Sequence, residues 1–287
     1  MSDAANGYHG AMNTEIFGAE KRLFSPRFRP ALMGLFVLCL LLFGLRLGSV
    51  PLFDLDEALY VTCARQMVLG GDWVTPLLNS RPPYDPSLPT VPFFEKPIFV
   101  YWAAAGSMRL FGISEWAARL PVLLAALALT GAIVWAGSRI FRSPRAGLLA
   151  GLVYATVPMT LLDARQMTTD GLLVLWFAVA LGAFWRRKGW LFWAMCALCI
   201  LTKGIVGLLL PLLIIGIHTA LEKRRARRSN LALSTSPRWK SLLSLSGLIM
   251  FLAIVVPWHY AIAQTDHRDA NGRTWRQEYV VLSLIHI

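Results

Sequence analysis

Long apolar runs separated by short basic turns constrain this chain more than any other feature. They cover about residues 31–50, 116–140, 146–162, 171–185 and 242–260, with a pair of shorter runs at 190–201 and 204–220. That pair is split by Thr202-Lys203-Gly204, which reads as the tip of a helical hairpin. The runs are continuous, not alternating, so they predict membrane helices and not barrel strands. Composition agrees: 56% of the 287 residues are hydrophobic, 15% are charged and mean hydropathy is +0.54. A soluble domain carries charge on about a quarter of its residues. The expected fold class is an all-α integral membrane bundle of about seven spans.

Charge distribution sets the expected orientation. With the N-terminus inside and each run crossing once, the inside segments hold 17 Lys and Arg against 4 acids, a net of +13. The remainder holds 11 cations against 12 acids, a net of −1, so the formal total is +12. This pattern follows the positive-inside rule. The basic clusters around Arg142 and Arg145, at Arg186-Arg187-Lys188 and along 223–240 are therefore topology signals, and nucleic acid is not expected as a partner. The organisation expected is a cytoplasmic tail at 1–30, a membrane domain at 31–260 and an outer tail at 261–287. The tail at 1–30 lacks the short apolar core and small-residue site of a cleaved signal peptide. Four cysteines suggest no disulfide framework, and Cys196 and Cys199 sit in an apolar run where packing outweighs redox or metal chemistry.

The first outer loop, 51–97, is the polar exception. From Glu57 to Gly70 it reads as an amphipathic helix, with Tyr60, Cys63, Ala64 and Met67 on one stripe. Gly70-Gly71 ends that helix, and Asp72-Trp73 belongs to the turn that follows. The prolines between Arg81 and Pro89 favour an extended, stiff segment. Ile98 to Phe111 is apolar but short for a crossing, and suits an interfacial helix.

Several residues of this side carry possible chemistry. Asp54 and Glu57 fit a capping box, while Asp56 or Glu57 fits a general base at the membrane edge. Glu95-Lys96 is either an interfacial ion pair or a phosphate-binding lysine with its orienting acid. Asp163, Arg165 and Asp170 share the second outer turn, where Asp170 also suits a helix cap. Lys203, at the hairpin tip, needs an anionic partner or the surface. His218 and His259 lie near span ends without a second ligand at helical spacing, and read as interfacial packing. Asp56, Glu57, Glu95, Lys96, Asp170 and Lys203 come from separate segments yet all map to one side. The span centres carry almost no charge, whereas a transporter places polar groups at mid-membrane.

These residues also carry a resemblance. Asp56-Glu57-Ala58-Leu59-Tyr60, Gly71-Asp72-Trp73-Val74-Thr75-Pro76, Phe94-Glu95-Lys96-Pro97 and Glu115-Trp116-Ala117-Ala118-Arg119 occur in order. Leu201-Thr202-Lys203-Gly204 and Pro257-Trp258 follow them. The run resembles the polyprenyl-phosphate-sugar glycosyltransferases, whose branches include the 4-amino-4-deoxy-L-arabinose lipid A transferases and the protein O-mannosyltransferases. The resemblance implies a GT-C fold in a bacterial inner membrane, with juxtamembrane helices in the first periplasmic loop and a periplasmic active site. It implies a polyprenyl-phosphate-linked sugar as donor, a lipid or protein as acceptor, membrane lipid as the medium, and inversion at the anomeric carbon.

By position it implies Asp56, Glu57 and Asp170 as catalytic residues, Lys96, Lys203 and Arg165 as donor-phosphate ligands, and Glu95 and Tyr60 as supporting groups. No cofactor is implied outright. A divalent cation among Asp56, Glu57, Glu95 and Asp170 is conceivable on ligand type. The other readings are a protein O-mannosyltransferase and, from a different class, a lipid-linked-sugar transporter or membrane scaffold. Two features depart from the family pattern: Leu59 stands where many relatives have arginine, and Glu278 is followed by Tyr279 where they have histidine. The resemblance also leads one to expect a C-terminally truncated member.

Overall fold

The computed structural model describes residues 25–52, 55–79, 89–228 and 238–279. In chain order the helices are α1 (Arg29–Gly44), α2 (Leu55–Gly70), α3 (Phe99–Phe111), α4 (Glu115–Ile140), α5 (Pro144–Thr156) and α6 (Pro158–Asp163). There follow α7 (Thr169–Trp185), α8 (Gly189–Lys203), α9 (Val206–Arg228), a 3-10 turn (Arg238–Leu242) and α10 (Leu245–Ala263). Two three-residue strands, β1 (Leu77–Asn79) and β2 (Thr90–Pro92), pair antiparallel. Asp54 and the proline-rich stretch 81–88 lie outside the described residues.

Helix occupies each of the predicted apolar runs. By length and composition, α4, α9 as far as Arg224, and α10 can cross a bilayer, while α1, α7 and α8 are shorter apolar helices. The run at 146–162 is not one helix. Pro158 has no N–H to donate and holds Val157 in an extended conformation (φ −64°, ψ 128°), which divides it into α5 and α6. Large apolar side chains stay exposed on α1 (Leu40, Leu41), α9 (Leu213, Ile217) and α10 (Leu248, Ile249), the arrangement a lipid solvent demands.

Lipid is as apolar as leucine, so helices in it associate through close packing of small residues. That device joins α4 to α5. A Cβ on Gly147 would lie 1.9 Å from Ser138 Oγ and 2.4 Å from the Val134 carbonyl oxygen. Ser138 and Thr130 donate their hydroxyls back to Val134 O and Ala126 O, so neither leaves a buried donor unmatched. The α8–α9 hairpin uses the same device, with Gly207 pressed against the backbone of Cys199. Cys199 and Cys196 are fully buried thiols in that packing.

At one end of the bundle sits the cap that carries the polar loop. The predicted stripe of α2 is buried: Tyr60, Cys63, Ala64 and Met67 pack with Tyr101, Ala104, Ala105 and Met108 of α3. The β1–β2 pair was not legible beforehand. Leu77 faces Pro92 and Asn79 faces Thr90, which closes the loop and returns Glu95-Lys96 to the cap. Asp72 Oδ1 accepts the N–H groups of Val74 (2.8 Å) and Thr75 (3.0 Å), a tight turn that leaves two carbonyls pointing outward. Trp102 Nε1 donates to Trp73 O at 2.7 Å, and Trp258 Nε1 of α10 donates to Val74 O at 3.0 Å. The Asp72–Thr75 turn thus docks both an early and a late helix.

A buried ion pair holds the cap to the bundle. Arg119 of α4 is 3% exposed and Glu57 of α2 is 0% exposed. Arg119 Nε and Nη2 donate to the two Glu57 oxygens, each at 2.7 Å. Its remaining N–H groups reach Leu47 O (2.8 Å), Val50 O (2.8 Å) and Pro51 O (3.1 Å). All five guanidinium donors are matched. Glu57 Oε1 also accepts the Met167 N–H at 2.8 Å, so the segment leading into α7 joins the same knot.

Breaking one half of such a pair strands a buried charge, which costs about 3–5 kcal/mol. Arg119→Ala and Glu57→Gln are each expected to lower the thermal midpoint of the detergent-solubilised protein sharply. A midpoint within a degree of wild type would show that the pair is not structural. Gly147→Ala is expected to destabilise as well by forcing α4 from α5, whereas Gly34→Ala, with open space around it, is expected to be neutral in the same melt.

Candidate functional site

Asp56 and Glu57 are adjacent, and a helix turns their side chains about 100° apart. Glu57 therefore faces inward, on the stripe of Tyr60, Val61 and Ala64, while Asp56 is exposed at the helix start. The sequence-based expectation of Glu57 as a catalytic group is corrected here. A carboxylate with no exposed surface and both oxygens engaged by Arg119 is out of reach of a substrate. Its spacing to Tyr60 and Ala64 was the overlooked signal.

Asp56 keeps a different partner. Tyr60, one turn along, donates its phenol to Asp56 Oδ2 at 3.1 Å. The Tyr60 ring is 1% exposed and meets Tyr101 edge-on, with centroids 5.8 Å apart. The phenol is held well above the ordinary tyrosine range, so it stays a donor. Burial is the largest cause; the negative charge of Glu95 follows, then Asp56 through its charge and its hydrogen bond, then Asp170. Tyr60 thus lies within electrostatic reach of three acids from three separate segments.

Each of the other two acids brings a lysine. Lys96 Nζ bonds Glu95 Oε1 at 2.9 Å, with the lysine 13% and the glutamate 36% exposed. Pro97 follows and α3 begins two residues later, which fixes the pair at the edge of the cap. Lys203 pairs with Asp170, and both are open to solvent (36% and 56%). Asp170 stands in the first turn of α7 and Lys203 in the last turn of α8, so each complements its own helix dipole. Asp170 also lines a cavity of about 190 Å³ with Tyr154, Thr160 and Asp163. Burial first, then Asp170, raises the Asp163 carboxyl above its usual range. Asp163 was noted in the outer turn but not among the site residues, and its pairing with Asp170 across a loop is a tertiary fact.

Arg165 does not join this group. Its Nη1 donates to Leu42 O (3.0 Å) and Phe43 O (3.4 Å) at the end of α1. It lines a separate cavity with Arg119, and its Nη1 contacts hold the end of α1. The four-carboxylate cation set does not assemble either. Glu57 is taken by Arg119, and among the described residues no group of three His, Cys, Asp or Glu side chains is placed to hold a metal ion.

What gathers at this end is a set of acid–base pairs at the rim of a cap: Asp56 with Tyr60, Glu95 with Lys96, and Asp170 with Lys203. Two ammonium groups near solvent can meet an anion, and an exposed carboxylate can take or orient a proton.

Comparison with known proteins places this arrangement. The family model described as dolichyl-phosphate-mannose-protein mannosyltransferase matches residues 95–260. The undecaprenyl phosphate-alpha-4-amino-4-deoxy-L-arabinose arabinosyl transferase of Edwardsiella ictaluri is 27% identical over 244 residues, which cover 80% of this chain and 40% of that protein. The enzyme of the same description from Aeromonas salmonicida is 31% identical over 197 residues, covering 64% and 34%. The crystal structure of ArnT from Cupriavidus metallidurans bound to undecaprenyl phosphate superposes with a TM-score of 0.66 at 28% identity, over 81% of this chain and 41% of that one. Its apo form gives 0.65. This chain therefore spans about two fifths of the length of such relatives. It is a predominantly helical, multi-span membrane protein, and it belongs to the dolichyl-phosphate-mannose-protein mannosyltransferase family.

Proposed function

We propose that this chain forms the catalytic N-terminal region of an inner-membrane glycosyltransferase that takes a sugar from an undecaprenyl-phosphate-linked donor. The observation that carries the reading is the convergence of Asp56, Glu95-Lys96 and Asp170-Lys203 around Tyr60. The names of the relatives support the donor class, as does undecaprenyl phosphate in the superposing crystal structure. The same names favour a lipid A-like acceptor over a protein one. The charge pattern supports a cytoplasmic N-terminus and a periplasmic site.

In this reading an acceptor oxygen attacks the anomeric carbon. The bond from that carbon to the phosphate oxygen breaks, and polyprenyl phosphate leaves with the electron pair. The phosphate is already a competent leaving group, so a strong general acid is not required. What helps is positive charge where the phosphate gains negative charge, supplied by Lys96 and Lys203. Both lysines rest on carboxylates in this structure, so donor binding exchanges Glu95 and Asp170 for phosphate oxygens. If the acceptor is a hydroxyl, its proton passes to Asp56. If it is a phosphate, it arrives ionised and Asp56 orients it. Tyr60, held as a donor, fixes the orientation of the Asp56 carboxylate.

The test is transfer of labelled sugar from a polyprenyl-phosphate donor to membrane acceptors by the protein expressed from its whole gene. Asp56→Asn is expected to lower turnover by roughly a hundredfold or more if the acceptor is a hydroxyl. Lys203→Gln and Lys96→Gln are each expected to lose about a hundred- to a thousandfold. Tyr60→Phe is expected to lose less, since it acts through Asp56. Equal transfer by wild type and Asp56→Asn would end the catalytic assignment of Asp56. Sugar-lipid that crosses the membrane unchanged would instead support a transporter.

A further inference from the structure

Sugar transfer as described makes no use of the Tyr101 hydroxyl. Tyr101 is the third residue of α3 and has no exposed surface. Its oxygen makes no hydrogen bond. Other buried polar atoms among the described residues also lack a partner, but each belongs to a residue that keeps some exposed surface. A buried hydroxyl without a partner carries its full desolvation penalty, so such groups are rare and call for a cause.

The surroundings of this hydroxyl are those of the acid–base pairs. Its ring meets Tyr60 edge-on, and Tyr60 holds Asp56. The charge of Glu95 and the backbone N–H of Lys96 both act on its oxygen. That N–H lies close by, yet outside hydrogen-bonding geometry. Among the described residues the Lys96 N–H makes no other bond. Pro97, next in the chain, has no N–H to offer in its place. A donor and an acceptor thus stand side by side, each unpaired.

One of the two is free to adjust. The Tyr101 ring is packed against the buried stripe of α2 and is held there. Lys96 lies in the bend that precedes α3. When its ammonium leaves Glu95 Oε1 for a phosphate oxygen, the backbone that carries it must settle again. A small shift toward Tyr101 closes the bond.

We propose that Tyr101 is a positioning residue for Lys96: its hydroxyl takes the Lys96 N–H as that lysine turns from Glu95 to the donor phosphate. The bound state then holds a hydrogen bond that the free state lacks, and the ammonium is fixed where the leaving phosphate gains charge. Tyr101 stays in the core and touches no substrate. The proposal rests on the donor-phosphate role given to Lys96.

Binding of undecaprenyl phosphate to the detergent-purified protein, expressed from its whole gene, tests this. Tyr101→Phe keeps the ring and removes the unpaired oxygen. Its thermal midpoint without ligand is expected at or above that of wild type, because no bond is lost. Its affinity for undecaprenyl phosphate is expected to fall roughly three- to tenfold, the worth of one hydrogen bond. In the transfer assay KM for the sugar donor is expected to rise by a similar factor, with KM for the acceptor unchanged. In a Lys96→Gln background, Tyr101→Phe is expected to cost less than about twofold, since no ammonium remains to be placed.

A lower ligand-free midpoint in Tyr101→Phe would make the hydroxyl part of the resting fold and overturn the proposal. So would an equal loss of affinity with and without Lys96. Wild-type affinity in Tyr101→Phe, beside a loss in Lys96→Gln, overturns the role of Tyr101 and leaves that of Lys96 standing. Wild type that binds no undecaprenyl phosphate, or binds it equally after Lys96→Gln, overturns the role of Lys96 and that of Tyr101 with it.

Discussion

The structure of the cap depends on one buried guanidinium. Arg119 carries five donors in a rigid plane, and the fold brings five acceptor contacts to it from two segments. Two come from Glu57, and three from backbone carbonyls where the chain leaves α1. Those carbonyls belong to Leu47, Val50 and Pro51, beyond the last α1 residue, where no helix ladder can satisfy them. A lysine has one compact charge and three donors, and could not serve the same set. Because Glu57 also takes the Met167 N–H, the knot ties α1, α2, α4 and the lead into α7 at one point.

That knot has a chemical consequence one residue away. With Glu57 turned inward, helix geometry turns Asp56 outward, next to Tyr60 and toward Glu95 and Asp170. Each exposed acid has a partner: a buried phenol that holds Asp56, and an ammonium for each of the other two. Exposed pairs contribute little to stability. They can therefore open for a substrate without loosening the fold, while the buried pair beneath them stays closed. The cap thus separates charges that hold the structure from charges that remain available.

Much of this was legible beforehand, and the parts that were not have physical causes. The apolar runs gave their helices because continuous hydrophobicity over a bilayer's width has few other solutions. The α2 stripe of Tyr60, Cys63, Ala64 and Met67 was legible because helical period alone places those residues together. Topology and motif order group Asp56, Glu95, Lys96, Asp170 and Lys203 as one set of candidates, and the structure pairs Asp56 with Tyr60, Glu95 with Lys96 and Asp170 with Lys203. Glu57 was misread because two neighbouring carboxylates look equivalent until a partner is known, and Arg119 is 62 residues away. A basic residue in an acidic turn reads as a phosphate ligand, and the contact of Arg165 with the end of α1 was not legible there. Its carbonyl acceptors, 122 and 123 residues earlier, leave no mark in the local sequence. The β1–β2 pair escaped because three-residue strands flanking a proline-rich stretch carry too little pattern.

By itself, then, the sequence determined the solvent, the helical class and the residue types available for chemistry. Those follow from local quantities: hydropathy, period and the sign of each turn. Tertiary structure alone decided which of two adjacent acids is buried against an arginine and which stays exposed, that Arg165 reaches the end of α1, and that two arginines share one indole. Those outcomes depend on partners brought together across dozens of residues, and an ionisable group takes its role from the partner and the burial it is given.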